Sequence, residues 1–293
     1  MNAPLSRRLL FRLVTSDALE RAVRSAPGAT ALSWRFARRY VAGSTLEDAL
    51  DRAHRLASDG IAASIDLFGE RVTDPSVADR TVDRYLELAS RVRDHGPSGT
   101  WLSLDLSHLG IATDRQAALG RLLSILEALP TEMRVQIGAE EAALAGGVLD
   151  AVLAVPNPSS LSATVQANLR RSAADAERLA DAGVPIRLVK GAYVEDARDA
   201  VPYGEPTNLA YLGIARRLGE LGAETYLATH DAVLREACRL VVRGAGVEML
   251  LGVRDDEARR LADAGTAVRV YLPYGPNWFR YWLRRAAEAR GAT

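Results

Sequence analysis

Short β-rich apolar runs alternate with segments of helical spacing from residue 61 onwards, and this alternation restricts the fold more than any other feature. Strict βα alternation predicts a parallel sheet with right-handed crossovers, and eight repeats close into a (β/α)8 barrel. The predicted strands are residues 61–67, 101–106, 133–138, 162–166, 186–190, 225–229, 247–251 and 267–272. The predicted helices between them are residues 76–94, 114–129, 140–153, 168–182, 208–221, 232–243 and 255–264.

An open, doubly wound sheet is the alternative arrangement for the same alternation. Such a sheet normally carries a glycine-rich turn after its first strand. The nearest glycine pair, Gly244 and Gly246, leads into a predicted strand, and the chain has no P-loop motif. The barrel is therefore favoured, with residues 1–60 as an N-terminal helical extension and residues 61–293 as the barrel domain.

Capping signals support the predicted helix boundaries. Thr45 and Asp48 match a capping box, which places a helix start after a break at residues 43–45. Asp114 and Asp255 stand where N-caps are expected. Glycines that stop helices are expected at Gly183, Gly222 and Gly265.

Composition and charge exclude several function classes. The 37 basic residues balance 37 acidic ones, which leaves no basic footprint for nucleic acid. A single cysteine and four histidines without an HExxH pattern predict no metal site and no disulfide framework. Arg12 interrupts the apolar N-terminal segment, and no run of 18 apolar residues occurs. We therefore expect a cytoplasmic protein with at most peripheral contact with a membrane, such as the inner membrane face.

Polar residues cluster where the predicted strands end, which is the face on which (β/α)8 barrels carry their chemistry. Arg187 and Lys190 stand in a strand that should be nearly apolar, and they therefore need partners. Arg187 and Lys190 could equally well form structural ion pairs or have a functional role. A structural and a functional role are also both open for His230. The residues considered at these ends are Asp66, Glu70, Asp105, Gly138, Glu140, Glu141, Gln166, Arg187, Lys190, Gly191, Ala192, Tyr193, Thr229, His230, Asp231, Glu248 and Tyr271.

The last predicted helix carries a separate group of side chains. Tyr281, Arg284, Arg285 and Glu288 follow the spacing i, i+3, i+4 and i+7 and share one helical stripe. Two adjacent guanidinium groups suit a carboxylate ligand, which arginine binds in a bidentate fork. The pattern alone favours the alternative, a solvated C-terminal helix whose last turn prefers cations.

Five segments resemble the proline dehydrogenase family, in its monofunctional bacterial type, and they occur in the family's order. They are SIDLFGE at 64–70, IRLVKGAYVE at 186–195, LATHD at 227–231, EMLLGVRDD at 248–256 and VRVYLPYGPNWFRYWLRR at 268–285. The resemblance implies a flavoprotein of the α/β class, with FAD bound in a distorted TIM-type (β/α)8 barrel without a Rossmann fold. It also implies a C-terminal helix over the barrel mouth.

The resemblance further implies a reaction and its cofactor contacts. The family oxidises L-proline to pyrroline-5-carboxylate by hydride transfer from ring C5 to flavin N5, and the electrons pass on to quinone or oxygen. Arg187 would contact the flavin near N5, while the protein supplies orientation and charge. The other implied cofactor contacts are Gln166, Lys190, Gly191, Ala192, Thr229, His230, Asp231, Glu248 and Glu288.

Substrate contacts follow from the same resemblance. Arg284 and Arg285 would hold the substrate carboxylate, and this orients the donor carbon. Glu70 or Asp66 would influence the proton of the substrate amine. The residues implied around the substrate ring are Tyr193, Leu250, Tyr271 and Tyr281.

Two positions depart from the family together. Asp105 stands where a lysine is typical, and Gly138 stands where an aspartate pairs with that lysine. The change reverses a charge near the expected carboxylate, which indicates altered specificity. Glu248, where glutamine is common, adds negative charge. The alternative function is therefore oxidation of a different cyclic or secondary amine, or of a hydrazine-like substrate, in specialised metabolism. Retained Tyr271 and the paired arginines keep proline as the first expectation.

Two further classes remain open from the sequence. One is a non-catalytic barrel that binds a ligand. The other is a barrel enzyme without flavin, such as a lyase or a phosphate-binding isomerase, for which Gly252 and residues 273–275 offer only a weak phosphate loop.

Overall fold

The computed structural model describes residues 29–69, 71–279, 281–283 and 285. Eight parallel strands close into a barrel in chain order, and β8 pairs with β1. The strands are β1 Ala62–Leu67, β2 Trp101–Leu104, β3 Val135–Ile137, β4 Leu161–Gln166, β5 Ile186–Val189, β6 Thr225–Ala228, β7 Gly246–Leu250 and β8 Val268–Tyr274. The barrel prediction is confirmed, and every predicted strand is present with its ends displaced by at most two residues.

Helices cover the outside of the barrel. They are α1 Ala29–Ala37, α2 Leu46–Ser58, α3 Pro75–His95, α4 Arg115–Glu127, α5 Ala142–Leu153, α6 Ser172–Asp181, α7 Glu205–Glu220, α8 Ala232–Val241 and α9 Asp255–Asp263. Short 3-10 turns occupy Leu106–Leu109 and Pro158–Ser160. No helix of the described residues is long and apolar enough to cross a membrane.

Several predicted boundaries are wrong, among them the start of the helix predicted from residue 208, which begins at Glu205, and three have a visible cause. The second strand ends at Leu104 because a 3-10 turn follows, and Asp105 is its N-cap residue. The helix predicted from residue 168 begins at Ser172, since the backbone N–H of Asn168 is bonded to the Lys190 carbonyl at 3.0 Å. Asp255 is the first residue of α9 and not its cap, and its carboxylate accepts from the Gly252 N–H at 3.0 Å.

The strands have an apolar outer face and a polar inner face. Successive side chains of a strand point to opposite faces, so Ile65 and Leu102 pack against helices while their polar neighbours face the barrel axis. The buried polar side chains of the strands are Ser64, Asp66, Ser103, Gln136, Ser162, Gln166, Thr225, Glu248 and Arg269. Most of these groups are hydrogen-bonded inside the protein, as burial requires, whereas Ser64 Oγ and Ser162 Oγ have no partner among the described residues.

A cation–aromatic stack fills the N-terminal end of the barrel. The Arg269 guanidinium lies 3.5 Å from the Trp101 ring centroid and donates to the carbonyls of Ala63 and Gly99, both at 2.8 Å. The Tyr226 ring meets Trp101 edge-on at 5.3 Å. Burial lowers the pKa of Arg269 to about 10. The predicted site residues at the strand ends lie at the opposite end of the barrel.

A second apolar cluster, here called the mouth cluster, lies at the C-terminal end of the barrel. It joins α1, the segment after β1 and the helical residues 278–279 and 281–283. Trp34 meets Trp278 at 4.9 Å, and Phe68 meets Tyr281 at 5.3 Å. The C-terminal helical residues are thereby packed over the barrel mouth, as the family resemblance implied.

The helix that leads into the barrel depends on a capping box. Thr45 Oγ1 accepts from the Asp48 N–H at 3.2 Å, and the Asp48 carboxylate accepts from the Thr45 N–H at 3.1 Å. We expect Thr45→Ala to lower the free energy of unfolding by about 1 kcal/mol, because the Asp48 N–H in the first turn of α2 loses its acceptor. Urea unfolding measures this, with Thr45→Ser as the control that keeps the hydroxyl. Equal losses in both variants would contradict the capping explanation.

Candidate functional site

A hydrogen-bonded network in the barrel interior holds Arg187. Its Nε donates to Thr164 Oγ1 at 2.8 Å, and its Nη1 donates to Gln136 Oε1 at 2.7 Å. The Gln136 amide donates in turn to both carboxylate oxygens of Glu248, at 2.7 and 2.8 Å. Arg187 and Glu248 also form an ion pair at 3.7 Å, and the Glu248 side chain is 4% exposed. The strand cations therefore have partners, as their burial requires.

The end of β6 carries an ion pair at a helix start. Lys190 Nζ donates to Asp231 Oδ2 at 3.0 Å, and Asp231 Oδ1 caps α8 by accepting from the Leu234 N–H at 3.1 Å. The hydrogen bond from Leu234, together with Lys190, lowers the pKa of Asp231. Thr229 Oγ1 accepts from the Asp231 N–H at 3.2 Å. This arrangement holds a cation at the rim of the barrel mouth.

His230 presents a buried hydrogen-bond donor. Burial lowers its pKa to about 4, with Arg285, Arg254 and Arg235 adding to the effect. The ring is therefore neutral near pH 7, and its Nε2 accepts from the Leu250 N–H at 3.3 Å. This bond assigns the ring proton to Nδ1. Among the described residues nothing accepts from this buried Nδ1.

A glycine cradle lies next to these donors. Gly191 has φ +111°, and a β-carbon there would overlap the Asn168 side chain. Asn168 Oδ1 is buried and has no hydrogen-bond partner in the described part of the chain. Gln166 Nε2 donates to the Glu140 carbonyl at 2.7 Å, and Ala192 follows the cradle at half-buried depth. The missing β-carbon of Gly191 thus makes room for the Asn168 amide, whose oxygen is a buried acceptor.

A buried carboxyl group lies on the β1 side. Asp66 is 3% exposed, and its Oδ1 accepts from the Tyr85 hydroxyl at 2.8 Å. Its Oδ2 accepts a short hydrogen bond from the Tyr271 hydroxyl. Burial raises the pKa of Asp66 to about 6, although both hydrogen bonds and Arg187 oppose that rise. The carboxyl group is therefore linked to a tyrosine expected around the substrate.

The mouth cluster supplies an aromatic wall beside a cation. The rings of Tyr271 and Tyr281 lie 5.9 Å apart, and the Arg285 guanidinium lies 5.3 Å from the Tyr281 centroid. Tyr193 donates to the Ala139 carbonyl at 3.1 Å from the opposite side of the mouth. Half-buried Leu250 joins this region through its bond to His230. The arrangement suits a small ring that bears a carboxylate.

Asp105 and Gly138 occupy one space. A β-carbon at Gly138 would overlap Asp105 Oδ1, so the carboxylate fills the position that a side chain at 138 would need. The Gly138 N–H donates to the Leu104 carbonyl at 2.9 Å, which holds the two segments together. Both positions are at the C-terminal ends of their strands, so the paired departure noted in the sequence is a direct contact.

The structure brings most of the expected site residues to one end of the barrel. Three of them, Glu70, Arg284 and Glu288, lie outside the described residues. Four partners were missed in the sequence, namely Tyr85, Gln136, Thr164 and Asn168. Polar positions at alternating sites of β3 and β4 were the available signal for Gln136 and Thr164. Tyr85 looks like an ordinary core residue of an amphipathic helix, so nothing in the sequence marks it.

Comparisons with known proteins point to one family. The family model described as Proline dehydrogenase matches residues 49–293. Proline dehydrogenase 1 of Bacillus subtilis strain 168 is 31% identical over 261 residues, which cover 86% of each chain. The proline dehydrogenase of Deinococcus radiodurans is 30% identical over 276 residues, which cover 87% of this chain and 86% of the relative.

Solved structures show the same fold. Proline utilization A from Bdellovibrio bacteriovorus matches with a TM-score of 0.82 at 18% identity, over 98% of this chain and 37% of that protein. A mutant of the Bradyrhizobium japonicum protein of that name matches with a TM-score of 0.75 at 24% identity, over 98% and 33% of the two chains. This chain thus spans about a third of those proteins. The family match and the relatives at 30% identity or more confirm the resemblance: the chain belongs to the proline dehydrogenase family, whose enzymes are oxidoreductases that act on a CH–NH group.

Proposed function

We propose that this chain is an FAD-dependent enzyme that oxidises L-proline to pyrroline-5-carboxylate. The observation that carries the proposal is the meeting of two groups at one barrel end. One is the donor set of Arg187, Lys190 and the buried His230 Nδ1, and the other is the aromatic wall with Arg285. The first group suits a planar, acceptor-rich cofactor, and the second suits a small cyclic amino acid.

The residues present fit a flavin. A buried neutral histidine with an unsatisfied N–H needs an acceptor, and the unpartnered Asn168 oxygen beside Gly191 needs a donor. We propose Arg187, Lys190 and His230 as the principal donors. The other proposed contacts are Gln166, Gly191, Ala192, Thr229, Asp231, Glu248 and Glu288. Bound FAD would supply the oxidant, because its N5 accepts a hydride from the substrate.

The chain's own residues would bind and orient the substrate. Arg285, with Arg284, would hold the proline carboxylate in a bidentate contact, and this holds ring C5 toward the cofactor. Tyr271 and Tyr281 would pack on the ring and exclude water, with Tyr193 and Leu250 completing the wall. Glu70 or Asp66 would influence the proton of the ring amine.

One observation favours a second candidate function. Asp105 fills the space beside Gly138 with a carboxylate, near a region proposed to hold the substrate carboxylate. A substrate with an added cationic or donor group would be stabilised there, such as another cyclic or secondary amine or a hydrazine-like compound.

The electron acceptor and the location are part of the same proposal. Electrons would pass to quinone or oxygen, and we propose a cytoplasmic enzyme with at most peripheral contact at the inner membrane face.

The visible absorption spectrum tests the proposal. We expect the protein to bind FAD and its flavin bands to bleach on anaerobic addition of L-proline. N-propargylglycine, which inactivates the Bdellovibrio protein, should block that bleaching. The control is Arg285→Met, which should retain the flavin spectrum but need a much higher proline concentration for bleaching.

Each other result has a defined meaning. A flavin spectrum that proline leaves unchanged, but another cyclic amine bleaches, would replace proline with the second candidate. Failure to take up FAD on reconstitution would overturn the flavoenzyme proposal. Equal bleaching of wild type and Arg285→Met at low proline would remove Arg285 from substrate binding.

A further inference from the structure

The hydroxyl of Tyr85 has two acceptors and one proton. It lies 2.8 Å from Asp66 Oδ1 and 2.9 Å from the Ser103 carbonyl oxygen. A phenol donates one hydrogen bond, so Tyr85 donates to only one of these oxygens at a time. All three groups are buried, and Tyr85 is 0% exposed. The choice between the two acceptors therefore depends on what Asp66 requires.

Each protonation state of Asp66 has a complete set of hydrogen bonds. When Asp66 is ionised, it accepts from both Tyr85 and Tyr271. When Asp66 is protonated, its O–H donates to the Tyr85 oxygen, and Tyr85 turns its own proton to the Ser103 carbonyl. In that state Tyr271 still donates to the second oxygen of Asp66. Neither state leaves a buried donor of this group without an acceptor, which is what a two-state proton site requires.

We propose that Asp66 is a positioning residue that acts on the substrate through Tyr271 and takes up the amine proton, while Tyr85 switches between Asp66 and Ser103. This inference rests on the proposed oxidation of a ring amine. The Tyr271 hydroxyl uses its proton to donate to Asp66, so the lone pairs of the Tyr271 oxygen face the aromatic wall. There they accept a hydrogen bond from a protonated amine.

The proton transfer balances. The ring ammonium gives one proton to the Tyr271 oxygen, and Tyr271 gives its own proton to Asp66 Oδ2. Half a turn of the Asp66 carboxyl group about its Cβ–Cγ bond then brings the new O–H to Tyr85 and the unprotonated oxygen to Tyr271, which is the protonated state described above. A cation and an anion become a neutral amine and a neutral carboxylic acid, and no electrons move in this step. The neutral amine carries the lone pair that hydride loss from the adjacent carbon requires.

The groups around Asp66 set its pKa near neutral pH. The facing groups are Tyr85 from α3, Tyr271 and Tyr274 from β8, and Arg187 from β5. Burial raises the pKa of Asp66 to about 6, and Tyr271, Tyr85 and Arg187 limit the rise. At pH 7 to 8 the Asp66 carboxyl group is therefore ionised and can accept a proton. Below pH 6 it is already protonated and cannot accept one.

Asp66→Asn is the sharpest test, because asparagine has the shape and hydrogen bonds of the protonated state. Its amide would donate to Tyr85 and its oxygen would accept from Tyr271. We expect wild-type kcat/KM for proline to fall below pH about 6. In Asp66→Asn we expect kcat/KM at pH 8 to drop by about 10²-fold. The fall of kcat/KM at low pH, here called the acid limb, should vanish in this variant.

Tyr85→Phe provides a second variant with a directional readout. Loss of a donor to the ionised carboxylate raises the pKa of Asp66, so the acid limb should move to higher pH. Asp83→Asn, an exposed acid two residues away on the same helix, is the control and should leave the limb in place. An unchanged limb in both Asp66→Asn and Tyr85→Phe would overturn the inference.

Infrared titration separates this inference from the proposed function. The carbonyl stretch of a protonated carboxyl group should titrate with a midpoint near 6 in wild type and be missing in Asp66→Asn, whether or not proline is a substrate. Wild type that does not oxidise proline contradicts the proposed function. Wild type that oxidises proline with no such band contradicts the role of Asp66.

Discussion

Replacing Glu257 by glutamine is expected to lower the free energy of unfolding by about 3 kcal/mol, because the buried Arg235 then keeps only an exposed carboxylate partner among the described residues, Glu236 at 3.4 Å. Arg235 is 0% exposed and donates a short hydrogen bond to Glu257 Oε1. Arg260 reaches the same oxygen at 3.4 Å, and Arg254 reaches Oε2 at 2.7 Å. The buried Glu257 carboxylate thus faces three guanidinium groups between α8 and α9, and the exposed Glu236 is a second partner of Arg235 at 3.4 Å. Urea unfolding of wild type and Glu257→Gln measures the loss.

Two controls separate charge from packing. The double variant Arg235→Met with Glu257→Leu removes both buried charges, and its stability should lie much closer to wild type. Arg260→Ala removes an exposed partner and should cost less than about 1 kcal/mol. If Glu257→Gln is at least as stable as the double variant, the charges of the buried pair do not stabilise the fold, and the two side chains contribute only through packing.

The effect of pH has a defined sign. Burial of Glu257 would raise its pKa, but the bond from Arg235 and the charges of Arg254 and Arg260 lower it below the ordinary value. A carboxyl group whose folded pKa is depressed stabilises the fold above its unfolded pKa and loses that contribution as pH falls through the folded pKa. Wild type should therefore lose more stability on acidification than Glu257→Gln does.

Gly138→Asp with Asp105 unchanged is expected to disable the substrate end of the pocket. The new β-carbon and the Asp105 carboxylate cannot share one space, so the Asp105 side chain must leave its present position. Two carboxylates would also meet with like charge. We expect a loss of about 1–3 kcal/mol of stability from overpacking, together with a large fall in kcat/KM.

Asp105→Lys combined with Gly138→Asp should reverse these losses. The double change restores opposite charges across the same contact and places a cation near the proposed carboxylate site. We expect the ratio of kcat/KM for proline to that for other cyclic amines to rise by about tenfold, equivalent to about 1.4 kcal/mol. Asp105→Asn is the control that removes the charge and keeps the shape. An unchanged ratio in the double variant would exclude this pair as a determinant of specificity.

Periodicity was sufficient to identify the barrel and its strands. The residues that alternate along β3 and β4 already separate an apolar outer face from a polar inner one. Helix starts were recovered where a side chain makes a local bond, as Asp114 does to the Ala117 N–H at 2.9 Å. The division at residue 60 stays a prediction, as do the roles of Glu70, Arg284 and Glu288.

Boundaries failed where a distant segment decided them. The fourth strand is followed by a turn because Asn168 is bonded to Lys190 and Val201, which belong to a later part of the chain. Local propensity carries no information about such partners. For the same reason the resemblance placed Arg187 at the cofactor, but its partners Thr164 and Gln136 were not foreseen.

The sequence by itself determined the eight βα repeats, the polar residues at the strand ends and the membership in a family of CH–NH oxidoreductases. These depend on spacing and on short motifs, which are local along the chain. Only the tertiary structure decided which polar groups meet. Tyr271 and Asp66 are 205 residues apart in sequence, and they share a hydrogen bond because closure of the barrel pairs β8 with β1. The period of the hydrophobic pattern determines the face of the barrel on which a side chain lies. The hydrogen-bond partner of that side chain and its pKa depend on the closure of the barrel.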